Sequence, residues 1–377
     1  MSDLSVTSAA IPNANVGARA AAPLAVVMRG DAADSVHVGS VAVVDRGGRL
    51  LYSAGDSAFP TMTRSSLKPF QAMPFVAGGG IERFDFSAPQ AALLCASHSG
   101  EPRHVAAAAS MLAKAGNKVE DLQCGSHAPR YHDIRGEPTP PPPYSALENN
   151  CSGKHSGMLA YCVMCELPKA SYLAYDHPLQ QGIRRAVGHF TSTPEAELKS
   201  GIDGCSAPNY AVPLDRLALA FARLATRHDD AVYGRAPQIL ADAMTAHPEM
   251  VSGAGRSDLE LMQAGRGDWV AKIGAEGVQG IGVRGAGIGI AIKVADGSKR
   301  ALRPVIVSVL EQLGLLDDDR RSALAHWVAP AVHNYRGLVT GRIVSAVVLD
   351  KIDASAMSRR TSRADRPAVR ANTPTSR

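Results

Sequence analysis

Ser65 and Lys68 stand three residues apart in Arg64-Ser-Ser-Leu-Lys-Pro69. On one helical turn such a pair shares a face, so the lysine amine can reach the serine hydroxyl. A serine needs a base of this kind, because its own hydroxyl is a weak nucleophile near neutral pH. Pro69 places the segment in a first helical turn, where a missing N–H costs little. Backbone N–H groups at that terminus could also stabilise an oxyanion. The plain alternative is a solvated lysine beside a capping serine, since S-x-x-K is short enough to recur by chance.

A second lysine strengthens the catalytic reading. Lys272-Ile-Gly274 falls in a predicted strand on the C-terminal side, where S-x-x-K acyl-transfer enzymes carry a Lys-Thr-Gly strand. Ser97-His-Ser99 lies between the two, where those enzymes carry a serine-containing loop. Ile273 replaces the hydroxyl residue and Ser-Asp-Asn is absent, and both departures argue against penicillin chemistry. Taken alone, residues 97–101 read as a helix-ending turn.

A third group joins Cys151-Ser-Gly-Lys154-His155 to Asp203-Gly-Cys205. Two thiolates could share a metal, and zinc suits soft sulfur ligands. The spacing matches no standard zinc finger, which leaves two buried cysteines at Gly-rich turns as the alternative. Cys162-Val-Met-Cys165 sits in an apolar helical run and reads as core packing rather than a redox pair. His98, His155 and His177 have no partner visible in the sequence and read as structural histidines.

These groups must be carried by a particular set of elements. Residues 24–53 are strand-like, with Val41-Ala-Val-Val and Leu50-Leu-Tyr52 flanking the turn Asp45-Arg-Gly-Gly. A mostly helical middle follows, including residues 102–115, which end at Gly116, and residues 213–227, which show helical spacing. Pro138 to Pro143 predicts an extended loop. Past Trp269, residues 270–274, 278–283 and 288–294 are short, β-branched and Gly-rich strands; 303–313 reads as a helix and 343–349 as a strand. Strands at both ends around a helical middle predict an α+β fold, with one antiparallel sheet assembled from both termini and helices on its faces. Strand and helix do not alternate, and Gly78-Gly-Gly follows a helix, so a dinucleotide-binding fold is disfavoured.

Composition narrows the function. The chain has 377 residues, a net charge of +5 and 5% aromatics, so stacking surfaces for single-stranded nucleic acid are scarce. Residues 353–377 hold six arginines against Asp353 and Asp365, so most of the positive excess sits in a Ser-, Thr- and Pro-containing tail. That tail and residues 1–23 lack the apolar content that offsets ordering entropy and read as disordered, leaving residues 24–352 as the folded domain. No secretory signal pattern and no apolar run of about 18 residues is present. The expectation is a cytoplasmic small-molecule enzyme with reduced thiols and no nucleic-acid or membrane partner.

Together Arg64-Ser-Ser-Leu-Lys-Pro69, Cys95-Ala-Ser-His-Ser-Gly-Glu101, Asn150-Cys-Ser-Gly-Lys-His-Ser-Gly157, Asp203-Gly-Cys-Ser-Ala-Pro208 and Lys272-Ile-Gly-Ala-Glu-Gly277 resemble the asparaginase II family, the rhizobial-type or class 3 L-asparaginases. The resemblance covers roughly residues 24–350. It implies the fold of serine β-lactamases and glutaminases and a homodimer that hydrolyses L-asparagine to L-aspartate and ammonia. Ser65 would match the nucleophile and Lys68 its base, with Ser97 and Lys272 as a second Ser–Lys pair. Cys151, Lys154 and Cys205 would match the zinc ligands, with water as the fourth. Asp203, and His155 inside its block, would lie at the substrate. A glutaminase, a β-lactamase-like hydrolase and an inactive zinc-binding regulator are the competing readings.

Overall fold

The computed structural model describes residues 21–226 and 228–352. A large antiparallel sheet is built from both ends of the chain, as the strand pattern predicts. It uses β1 (Ala22–Arg29), β2 (Ala32–Asp45), β3 (Leu50–Ala54), β7 (Trp269–Gly274), β8 (Val278–Val283), β9 (Ile288–Val294), β10 (Ala331–His333), β11 (Val339–Ser345) and β12 (Asp350–Lys351). The order is β10-β11-β1-β2-β9-β8-β7, with β3 pairing β2 and β12 pairing β3. The long β2 makes this possible. Its first half pairs β1 and its second half β3, while β9 lies along the other edge from Gly39 to Asp45.

The glycines of β8 and β9 have a packing reason. The helix Leu214–Thr226 lies across β2, β8 and β9. A Cβ at Gly280 would stand 2.1 Å from the Phe221 ring, and one at Gly289 would stand 1.9 Å from the carbonyl oxygen of Ala218. Only a hydrogen side chain lets helix and sheet approach this closely. The helix Lys68–Ala77 runs through the middle of the molecule, with Phe70 against Phe190 and Phe221. Because it is buried nearly all round, its first residue, Lys68, is buried too.

A second, three-stranded sheet of β4 (Pro60–Met62), β5 (Lys199–Ile202) and β6 (Pro208–Pro213) is not foreseen by the sequence pattern. It fastens the approach to Ser65 beside residues 203–209. The C-terminal strand also differs, running from Val339 to Ser345 rather than over 343–349. Register explains the difference, since β11 pairs β1 from Gly341 to Ser345 and the apolar run continues as core contact at Val347 and Leu349. Residues 138–143 form neither helix nor strand, as predicted.

Ala22 and Pro23, which the sequence reading placed in a disordered N-terminal segment, belong to β1 and pair with Gly39 and Val38. The rest of that segment and residues 353–377 lie outside the described residues. Among the described residues no helix is long and apolar enough to cross a membrane, and all six cysteines are free.

Candidate active site

Ser65 lies in a single 3₁₀ turn, Arg64–Leu67, that leads directly into the helix Lys68–Ala77. The turn is held in an uncommon shape. Arg64 has φ +51°, a left-handed conformation that a non-glycine residue adopts only under local constraint. Asn209 supplies that constraint from both sides. Its side-chain oxygen accepts from the Arg64 N–H at 2.9 Å, and its amide donates to the Arg64 carbonyl at 3.0 Å. The Arg64 side chain is fixed in turn by Asp203, at 2.8 Å from Nε to Oδ1. Asp203 therefore stands beside the Ser65 turn, and Asn209, one residue beyond the Asp203–Pro208 block, is a positioning residue the sequence reading did not single out.

Lys68 is 1% exposed. Its amine donates to the carbonyls of Ala96 and Asn150 and lies 2.9 Å from the Ser97 hydroxyl. Ser97 is held by its own N–H, which donates to Val251 O at 2.8 Å. Ser99 donates to Ser252 O at 2.9 Å, and Glu101 accepts from the N–H of Ala254 at 2.8 Å. The segment after Cys95 is thus clamped to residues 251–254 as well as to Lys68. Ser65 is partly exposed, whereas Ser97 is buried.

The expected Ser97–Lys272 pair is not formed. Lys272 instead donates to Asp258 Oδ2 at 2.9 Å, with both side chains fully buried. The other oxygen of Asp258 accepts from the Ile273 N–H at 2.8 Å. The reason is strand geometry: β7 is an edge strand, so its outer N–H is free to bind a carboxylate, and Asp258 comes from the packed helix Ser257–Gly265. Burial pushes the Lys272 amine down to about 8, opposed by the Asp258 carboxylate and assisted by the Lys68 charge. Asp258 carries no motif in the sequence, and only the fold reveals its partner.

Cys151, Lys154 and His155 come from the start of the helix Ser152–Met164, and Cys205 from the turn after Asp203. All four are buried, and Lys154 Nζ lies 3.0 Å from Cys205 Sγ. The hydrogen bond from Cys151, the Lys154 charge and His155 hold the Cys205 thiol well below the usual range. Cys151, as donor and buried, is pushed well up. Burial alone would depress Lys154, but the two sulfurs outweigh it and its amine is raised. His155 accepts or donates at Nδ1 with the Tyr172 hydroxyl at 2.6 Å, and burial lowers the imidazole to about 4. Its Nε2 lies toward Cys205 yet completes no hydrogen bond among the described residues.

His155 is therefore part of this buried cluster. His98 and His177, for which the sequence showed no partner, are hydrogen-bonded within the fold. His98 accepts from Gly100 N and bonds the Ser152 hydroxyl, while His177 caps the helix Pro178–Thr191. Cys162 is buried as expected, but Cys165, just past the helix end, is exposed.

The model of the L-asparaginase II family matches residues 25–345, which contain every group described above. The chain belongs to the L-asparaginase II family. That family consists of amidohydrolases. No curated protein matches the chain. Solved structures of Mglu are similar to it at low identity: the native form at 14% identity and TM-score 0.42, covering 74% of this chain and 66% of that one. The glutamate form gives 13% identity and TM-score 0.42, covering 74% and 61%. The chain thus spans less than two thirds of the length of these two structures.

Proposed function

We propose that the chain hydrolyses the side-chain amide of L-asparagine, giving L-aspartate and ammonia through an acyl-enzyme. The observation that carries this reading is the buried Lys68 amine, bonded to the Ser97 hydroxyl at the base of the turn that presents Ser65. Ser65 Oγ attacks the amide carbon, and its proton passes through the Ser97 hydroxyl to the Lys68 amine, which acts as the base. The tetrahedral intermediate collapses as its C–N bond breaks, and ammonia leaves with the proton returned by Lys68. Water then attacks the β-aspartyl ester, transferring its proton along the same path and releasing Ser65. The Ser65 N–H, which has no acceptor among the described residues, is placed to steady the oxyanion. Lys272, held by Asp258, contributes a fixed positive charge.

The same reading includes zinc. No group of three His, Cys, Asp or Glu side chains is arranged for a metal among the described residues, and the proposed set includes a lysine amine. Cys151, Cys205 and Lys154 fit such a set, because two sulfurs and an amine converge beside an imidazole nitrogen with no partner. They would hold the ion, which would serve to polarise and orient the substrate next to Asp203. The family pattern extends the proposal to a cytoplasmic homodimer.

Ammonia release from purified protein, with L-asparagine and L-glutamine compared, tests the reading. Release from asparagine is expected; release mainly from glutamine overturns the substrate, and silence on both overturns the activity.

A further inference from the structure

A cavity of about 370 Å³ lies at the edge of the large sheet, behind β7. Ile273 lines it while Lys272, its neighbour in the strand, points to the opposite face. The cavity is bounded by Arg130, Arg256, Lys299, Arg300 and Arg303, with no carboxylate among its lining residues. Arg300 and Arg303 have partners: Arg300 donates to His37 and Ser35, and Arg303 pairs with Glu260. Arg130, Arg256 and Lys299 make no side-chain hydrogen bond or ion pair among the described residues.

Three unpaired cations facing one concavity repel one another. Burial and the Arg130 charge depress the Arg256 guanidinium against the opposing Asp258 carboxylate, and partial burial with the Arg130 and Arg256 charges depresses the largely exposed Lys299 against Glu276. An anion would relieve that repulsion, and a cleft lined by one sign of charge concentrates it. The nine-residue helix Ser257–Gly265 also starts at this cavity with no side-chain cap. Its first N–H groups, on Ser257 and Asp258, have no acceptor among the described residues, and such a helix start favours negative charge.

We infer that this cavity, beside the amide-hydrolysing site, is a binding site for a small oxyanion carrying two or more negative charges. Arg130 and Lys299 hold the ligand at the rim, and Arg256 with the helix start holds it inside. The segment that binds the anion, residues 256–258, ends on the carboxylate that fixes Lys272 and Ile273.

The test is isothermal titration of the full chain with citrate and, separately, inorganic phosphate, ionic strength being held constant with sodium chloride. Binding of either is expected, and the tighter one identifies a carboxylate or a phosphoryl ligand. The double variant Arg130→Gln/Lys299→Gln is expected to weaken binding at least tenfold with an unchanged circular dichroism spectrum. Lys299→Gln alone, at an exposed position, gives a smaller loss and serves if the double variant misfolds. No heat with either anion, or full binding in the variants, overturns the site. Displacement of the anion by L-asparagine overturns its separateness, since the cavity would then be the substrate's own carboxylate pocket. Heat of binding does not depend on turnover, so this result stands apart from the ammonia assay.

Discussion

Asp258 and Lys272 form an ion pair at 2.9 Å with neither side chain exposed. Such a pair holds a charge in place more than it stabilises the fold, because taking two ions out of water costs much of what their attraction returns. Removing one partner leaves the other charge uncompensated. Asp258→Asn is expected to destabilise the protein by about 3–5 kcal/mol in denaturant unfolding. It should also move a kinetic limb. Lys272 loses its proton near 8, so kcat/KM is expected to fall as pH rises through that value. Without the carboxylate that favours its charged form, the limb shifts to lower pH. A pH profile identical to wild type would remove Lys272 from the mechanism.

The same residue has a consequence for stability. Its folded value lies below the ordinary 10.5. Between about 8 and 10.5 the unfolded chain therefore binds more protons than the folded one, and Lys272 makes stability rise with pH in that window. Lys272→Met should flatten the rise, which thermal unfolding at a series of pH values would measure.

The left-handed Arg64 turn depends on Asn209, which satisfies both its N–H and its carbonyl. Asn209→Ala leaves both groups without that partner and frees the turn to relax. Expected effects are a loss of about 1–3 kcal/mol in stability and a fall in kcat larger than the change in KM, since Ser65 is misplaced rather than removed. A variant with wild-type kcat would show that the turn does not need clamping.

Much of the scaffold was legible because its signals are local. The β8 and β9 bounds follow from β-branched and Gly-rich runs, and the helix over Leu214–Thr226 from a single apolar stripe. The site residues were legible as types; the fold joins Lys68 to Ser97 and Lys154 to Cys205, while among the described residues no hydrogen bond joins the Ser65 hydroxyl to Lys68. What the sequence could not convey is pairing across the chain. Ser97 bonds Lys68 rather than Lys272, because the loop after Cys95 passes over the buried end of the Lys68 helix. Asp258 and Asn209 reach their partners through contacts spanning 14 and 145 residues and belong to no short pattern. The β4–β6 strands are too short to carry a period of their own, and exist because they pair with each other.

The contact between the Leu214–Thr226 helix and the sheet predicts its own failure. A methyl group at position 289 would fall 1.9 Å from the Ala218 carbonyl and 2.6 Å from the Ala222 nitrogen. Both are backbone atoms that cannot swing aside. Gly289→Ala should destabilise the fold by about 1–3 kcal/mol or more through overpacking, read as a lower denaturant midpoint with little change in slope.

If Cys151, Lys154 and Cys205 hold zinc, replacing one sulfur should release it. Cys205→Ser is expected to lower the zinc content measured by elemental analysis to a small fraction of one per chain. Lys154→Met should do the same, which separates the proposed set from a two-cysteine site. Zinc retained at full occupancy in both variants would place the metal elsewhere.

The two serines around Lys68 make different predictions. Ser65 is partly exposed on the turn and Ser97 is buried against the amine. If Ser65 attacks, Ser65→Ala removes the nucleophile, and turnover should fall by at least about three orders of magnitude with the melting temperature nearly unchanged. Ser97→Ala then breaks only the proton path. It should lower kcat by about 10²–10⁴-fold, the range for a general acid–base contribution, while still accumulating acyl-enzyme detectable by intact mass after rapid quench. The reverse pattern, with an acyl adduct formed in Ser65→Ala but absent in Ser97→Ala, would exchange the two roles. It would also require Ser97, now shielded, to become accessible when substrate binds.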